Sequence, residues 1–167
     1  MDEKEIRRVL DRTEILDLLG RYCLTLDAHD LDGWVDCFTE NGAFGDGERA
    51  VVGHANLRAY AEVHARIGAR HVTSSPVHDV AEDGLSATGV ASTLVTVATP
   101  RGFRVIMTGG YRDLLEKVDG RWLIARRWVE FQRLPDDPER DVPSHDPDVA
   151  AMHQMLMDAF SRFSQPV

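Results

Sequence analysis

A carboxylate and an imidazole stand at two places in this chain from which they can meet. Asp27 closes the run Tyr22-Cys23-Leu24-Thr25-Leu26-Asp27, at the end of a segment with helical apolar spacing. His71 opens an alternating run, Ala69-Arg70-His71-Val72-Thr73, after a later helical stretch. Delivered from a helix and a strand into one apolar pocket, they make a proton-transfer dyad. The imidazole moves the proton while the carboxylate orients it and stabilises the imidazolium. An unperturbed imidazole, with a pKa of about 6.5, suits that task near neutral pH. Tyr22 and Tyr111 can add hydroxyl donors toward a developing enolate or a leaving hydroxyl. Blander readings stand beside these: Asp27 as a cap or a structural partner, His71 as a satisfied half-buried histidine, and the tyrosines as pocket wall. Arg127 can hold a carboxylate or phenolate, or pair with Asp113, and the ion pair is favoured.

Other chemistries find little support. His29, His54, His64, His78, His145 and His153 show no His-Glu-x-x-His or other ligand spacing, so no metal is expected. Gly45-x-Gly47 lacks the strand-to-helix setting of a dinucleotide fingerprint and reads as a turn. Cys23 and Cys37 sit in no CxxC or zinc pattern and read as reduced core fillers of a cytoplasmic protein. No nucleophile elbow or catalytic Cys-His pattern occurs.

The elements that must position the dyad follow from periodicity. Residues 3–28 carry Ile6, Val9, Leu10, Ile15, Leu16, Leu19, Cys23 and Leu26 at helical spacing, and Asp27 continues the row onto the buried side. A charge there is costly unless paired or used. Asp30 reads as the N-cap of a short helix containing Trp34 and Phe38, and a short strand is expected at Ala43 and Phe44. A third helix is expected from about Ala55 to Ile67, with Leu57, Tyr60, Ala61, His64 and Ile67 on one face and Gly68 as its stop. The period then becomes two, with strands at about 71–80, 85–99, 103–118 and 121–133 separated by Asp83-Gly84, Pro100-Arg101-Gly102 and Asp119-Gly120. Helices followed by an antiparallel meander make this an α+β chain. Beyond it, Pro135, Pro138, Pro143 and Pro147 mark an extended connector, and Val149, Met152, Leu156, Phe160 and Phe163 form one side of a last helix. That helix is expected to cover the open end of the sheet or to pack on another subunit.

At 167 residues one domain is expected, divided here as 1–133 and a connector-plus-helix at 134–167. The net charge of −9, spread along the chain, argues against nucleic acid as a partner. No apolar run approaches a membrane span, and the charged N-terminus gives no sign of a secretory signal.

Three stretches carry a family resemblance: Tyr22-x4-Asp27-x2-Asp30-x3-Trp34-x3-Phe38; Arg70-His71; and Gly110-Tyr111-x-Asp113 leading to Asp119-Gly120-Arg121-Trp122-x-Ile124-Ala125-x-Arg127. With the element order, they resemble the nuclear transport factor 2-like cone fold, in its SnoaL-like and scytalone dehydratase-like branch, over residues 5–130. The resemblance implies a curved antiparallel sheet closed by N-terminal helices (an α+β barrel) around a hydrophobic pocket. Dehydratases, dehydrochlorinases and isomerases of this kind work there without metal or organic cofactor. It implies Asp27 and His71 as the catalytic pair, with Tyr22 assisting as in bile-acid dehydratase-like members. Tyr111, Arg127 and Trp34 are expected to contact substrate. The second acid or base that several relatives place on the strand at 85–99 is absent, since no His, Asp or Glu stands around Leu94, Val95 and Thr96. A single-base reaction is therefore expected. The expectation is a cofactor-independent lyase or isomerase on a small apolar oxygenated or polycyclic molecule, assembled as a homodimer or homotrimer. The alternatives are a binding protein for a small hydrophobic ligand and a structural subunit of a larger enzyme.

Overall fold

The first helix, α1 (Glu3–Asp27), begins at a capping box: the Asp2 side chain accepts from the Glu5 backbone and the Glu5 carboxylate accepts from the Asp2 backbone. Its buried row runs Asp11, Ile15, Leu18, Leu19, Tyr22, Cys23 and Leu26. The expected row differs in its first half, because Ile6, Val9, Leu10 and Leu16 are exposed. The physical reason is Asp11. Its carboxylate accepts from Lys117 Nζ at 2.6 Å and from Trp122 Nε1 at 3.0 Å, so the face carrying this carboxylate turns to the sheet. Only from Ile15 onward do apolar spacing and burial coincide.

A computed structural model describes residues 2–133, 135–136 and 146–167. After α1 come α2 (Leu31–Val35), β1 (Phe38–Gly45), β2 (Arg49–Val52) and α3 (His54–Ala65). Asp30 caps α2 by accepting from the Gly33 backbone at 3.0 Å. The meander is β3 (Ala69–Val80), β4 (Ser86–Thr99), β5 (Gly102–Val118) and β6 (Arg121–Phe131). The β5–β6 hairpin turns on Asp119 and Gly120, at φ 50° and 79°. Two successive positive φ values match the twist of the flanking strands and suit Asp-Gly. Last come α4 (Pro147–Phe163) and β7 (Ser164–Pro166).

The seven strands form one sheet in the order β3-β4-β5-β6-β1-β2-β7, antiparallel except where β1 lies parallel to β6. Neither the full length of β1 nor β2 and β7 is anticipated by the alternation. Register shifts interrupt β3 between Ser74 and Val77, β4 between Val95 and Thr96, and β5 between Leu114 and Leu115. Such bulges bend strands and increase their twist, which curves the sheet. The inward side of β4 is made of small residues, Ala87, Gly89, Ala91 and Thr93, all buried. They leave room for the large inward side chains of β5 and β6.

The described part of the proline-rich connector comprises Pro135 and Asp136; its remainder and His145 lie outside the described residues. Beyond it, α4 packs on α3, with Phe160 6.4 Å from Tyr60 between ring centroids. Asp146 caps α4 and ties it to the β4–β5 hairpin by accepting from Arg101 at 2.8 Å and Arg104 at 2.9 Å. At the helix's other end, Arg49 donates to the Ser164 hydroxyl and carbonyl. The last helix therefore belongs to the same core. No helix among the described residues is long and apolar enough to cross a membrane.

Candidate active site

A cavity of about 380 Å³ lies between the curved sheet and the helices, bordered by residues of α1, α2, α3, α4 and the strands. Its size is that of a small-molecule site. α1 contributes Tyr22 and Leu26, and its terminal residue, Asp27, stands directly behind the wall. The Asp27 carboxylate grips His71 twice: one oxygen lies 2.6 Å from ring Nδ1, and the other accepts from the His71 backbone N–H at 3.0 Å. The Arg70 guanidinium donates to the Asp27 carbonyl, fastening the end of α1 to the start of β3.

Burial alone would raise the Asp27 carboxyl. The hydrogen bonds from His71, with the His71 and Arg70 charges, outweigh burial and hold it below its ordinary value. An ionised carboxylate only accepts, so the 2.6 Å contact assigns the proton to Nδ1. His71 borders the cavity, and its Nε2 has no hydrogen-bond partner among the described residues. A strand-borne imidazole thus presents a lone pair to the cavity with a carboxylate behind it.

Tyr22 and Tyr111 border the cavity as well. Burial pushes both hydroxyls above their usual range, with Tyr111 adding to the effect at Tyr22 and Arg127 opposing it at each. Both are therefore neutral donors at physiological pH. Trp34 borders the cavity too; it is fully buried, and its indole N–H has no hydrogen-bond partner among the described residues.

Arg127 is placed differently. Directly opposite Asp113 in the β5–β6 register, it forms a bidentate pair with that carboxylate at 2.8 and 2.7 Å. Its guanidinium is sandwiched 4.1 Å from the Tyr22 ring and 4.2 Å from the Tyr111 ring. It does not border the cavity. Burial works to lower its pKa, yet Asp113 drives it above the usual value, so the pair remains ionic. Arg127 acts on the two tyrosines from behind.

Sequence reasoning passed over His64, Tyr60 and His153, which also border the cavity. The His64 ring lies 5.1 Å from that of His71, with the planes 32° apart. Though half-buried by exposed area, His64 is crowded by protein; burial, and then His71, push its pKa down to about 3. The signal was available, because His64 stands on the inner face that periodicity assigned to α3. On β4 the inward residues 91, 93 and 95 are Ala, Thr and Val, with no acid or base among them. Both thiols are free and buried, and burial raises Cys37 to about 11, which leaves it no nucleophilic character.

The SnoaL-like domain matches residues 7–128 of the chain. This protein belongs to the SnoaL-like family. Among solved structures, it is similar to Rv3472 of Mycobacterium tuberculosis, a protein of unknown function solved as an aspartate-to-asparagine variant. They share 38% identity over 96% of this chain and 94% of that one, with a TM-score of 0.90. A protein from Catenulispora acidiphila, in complex with S-DNPA, is 30% identical over 72% of this chain and 92% of its own, with a TM-score of 0.62. An NTF2-like protein with a cystatin-like fold from Novosphingobium aromaticivorans, at 19% identity and a TM-score of 0.70, covers 89% of this SnoaL-like chain and 92% of its own, which shows the shared fold. No curated protein matches the sequence.

Proposed function

We propose that this SnoaL-like protein is a cofactor-independent lyase or isomerase acting on a small, largely apolar oxygenated or polycyclic molecule. The observation that carries the reading is the Asp27–His71 pair with Nε2 on the cavity. His71 takes a proton from carbon next to a carbonyl, and the C–H electron pair moves into the carbonyl as an enolate. Asp27 stabilises the resulting imidazolium. In an elimination, the enolate expels a β-hydroxyl, which leaves as water with the proton from His71. In an isomerisation, the proton returns to a different carbon. Tyr22 and Tyr111 donate within the cavity, and Trp34 offers a further contact, while Arg127 holds the tyrosine rings. The chemistry as written draws on side chains alone.

The mostly apolar wall suits a ring-bearing substrate, and the S-DNPA complex of the Catenulispora relative supports small-molecule binding in this fold. Two free thiols suit a reducing cytoplasm. The exposed Val72, Val77, Val90, Leu94 and Leu114 on the meander support packing against further copies, as a homodimer or homotrimer.

The test is deuterium incorporation from D2O into the α-positions of a panel of tetralones and decalones, followed by NMR. Exchange above the buffer rate that is lost in His71→Ala supports the reading. Ketones that bind without exchanging would instead make this a binding protein.

A further inference from the structure

The Mechanism-bearing strand supplies one imidazole, yet the cavity holds a second beside it. We propose that His64 is the oxyanion-binding group of the site, donating an imidazole N–H to the enolate oxygen that forms when His71 removes the neighbouring proton. The proposal rests on the His71 reading and deepens it, since it assigns the substrate's carbonyl oxygen to α3 and its acidic carbon to β3.

The geometry is specific. His64 and His71 border one cavity with ring centroids 5.1 Å apart and planes inclined by only 32°, so their edges reach adjoining atoms of a bound molecule. An enolisable carbonyl offers such a pair, because its acidic carbon and its oxygen are separated by one carbon. Tyr60, one turn earlier on α3, lies 6.2 Å from His64 between ring centroids and backs it from the helix side. Asp27 reaches Nδ1 of His71 and not His64, so the two imidazoles are unequal: one is paired with a carboxylate and the other is not.

That inequality separates their roles. As His71 becomes an imidazolium, a second cation at this distance would be repelled, and His64 is already held neutral by burial and by His71. A neutral imidazole has one donor and one acceptor nitrogen. It does not give up its proton in the step; it shares the N–H with the oxygen while charge is present there, an arrangement known for neutral histidines in enolising enzymes. The proton removed from carbon stays on His71 Nε2 until it is returned or leaves with the hydroxyl. The substrate class follows: a ketone or thioester with an acidic α-hydrogen, or a phenol whose ionised form mimics the enolate.

The probes are 4-nitrophenol, read by its phenolate absorbance, and 4-nitroanisole, which has the same outline and cannot ionise. His64→Phe keeps the ring volume without the N–H, and His64→Gln keeps a donor without a titrating group. The expected result is that His64→Phe weakens 4-nitrophenolate binding by about tenfold while 4-nitroanisole binding is unchanged, the scale of one lost hydrogen bond to a charged acceptor. His64→Gln should recover most of that loss. Equal weakening of both probes, or of neither, overturns the proposal. Should His64→Phe not fold, the ¹⁵N-bound proton of His64 in the unmodified protein decides the matter: a downfield shift on adding 4-nitrophenolate supports it, and no shift refutes it. These readouts need no turnover. A failure of α-proton exchange therefore strikes the His71 reading alone, while a failure of phenolate selectivity strikes His64 alone.

Discussion

Two carboxylate–cation pairs stand a few side chains apart, and they are built to opposite ends. Asp27–His71 joins the end of a helix to the start of a strand, and its cation borders the cavity with one nitrogen unengaged. Asp113–Arg127 lies wholly inside the sheet layer, with both oxygens engaged and aromatic rings on the guanidinium's two faces. The first contains a group that can change its protonation state; the second contains one that keeps its charge. Proximity to a pocket therefore says less about chemistry than the valence left over. A buried, saturated pair positions its neighbours, and a pair with a spare lone pair on a cavity can act.

The sharpest break in that contrast is His71→Ala, which should reduce α-proton exchange by about three orders of magnitude while the fold survives. Chemical denaturation run beside NMR exchange checks both halves. Arg127→Met should show the reverse balance. It strands the Asp113 carboxylate and should destabilise the protein by about 3–5 kcal/mol in urea unfolding, with Arg127→Met/Asp113→Leu recovering much of the loss. A single variant as stable as the parent would remove Arg127 from the structural role given to it.

Asp27→Asn should lower exchange by about a hundredfold, because an amide cannot accept from both the ring and the backbone N–H of His71 as a carboxylate does. Its stability profile should change too. The folded Asp27 carboxyl lies below its ordinary value, so its contribution is present above about pH 3.9, the unfolded value, and is lost as pH falls through the folded one. The variant should lack that acid-limb loss in pH-dependent melting.

His64 gives a gentler slope with its own sign. Its folded pKa of about 3 lies below the unfolded 6.5, so the unfolded chain binds the extra proton between these values and stability falls as pH drops from 6.5 toward 3. His64→Gln should flatten that stretch by up to about 1 kcal/mol per pH unit. Smallest is Arg101→Ala at the α4 cap. An exposed ion pair of this kind contributes less than about 1 kcal/mol, and a modest fall in melting temperature at low salt should vanish at high salt.

Much of this was legible beforehand because helix and strand periods are geometric. The long meander, the Asp30 cap and the Asp119-Gly120 hairpin all follow from local chemistry that tertiary structure had no reason to override. The pairing of Asp27 with His71 was legible from element order. What escaped depended on partners far along the chain. Ile6 and Leu10 look like core until Asp11 is matched with Lys117 and Trp122, more than a hundred residues away. Ser164-Gln165-Pro166 carries no alternation and becomes a strand through β2. His64 sat on a correctly assigned face, but a lone histidine on a helix has no spacing that marks it as chemical.

The indole of Trp34 carries a last consequence. A donor sealed inside a wall and left without a partner makes emptiness and grease equally poor occupants. A hydrocarbon filling the space would keep that N–H desolvated, at a cost of about 1–3 kcal/mol, whereas a guest carrying an oxygen at that depth relieves it. The cavity thereby sorts molecules of equal shape by oxidation level, favouring the oxygenated member by about tenfold to a hundredfold. It would do so before any proton moves.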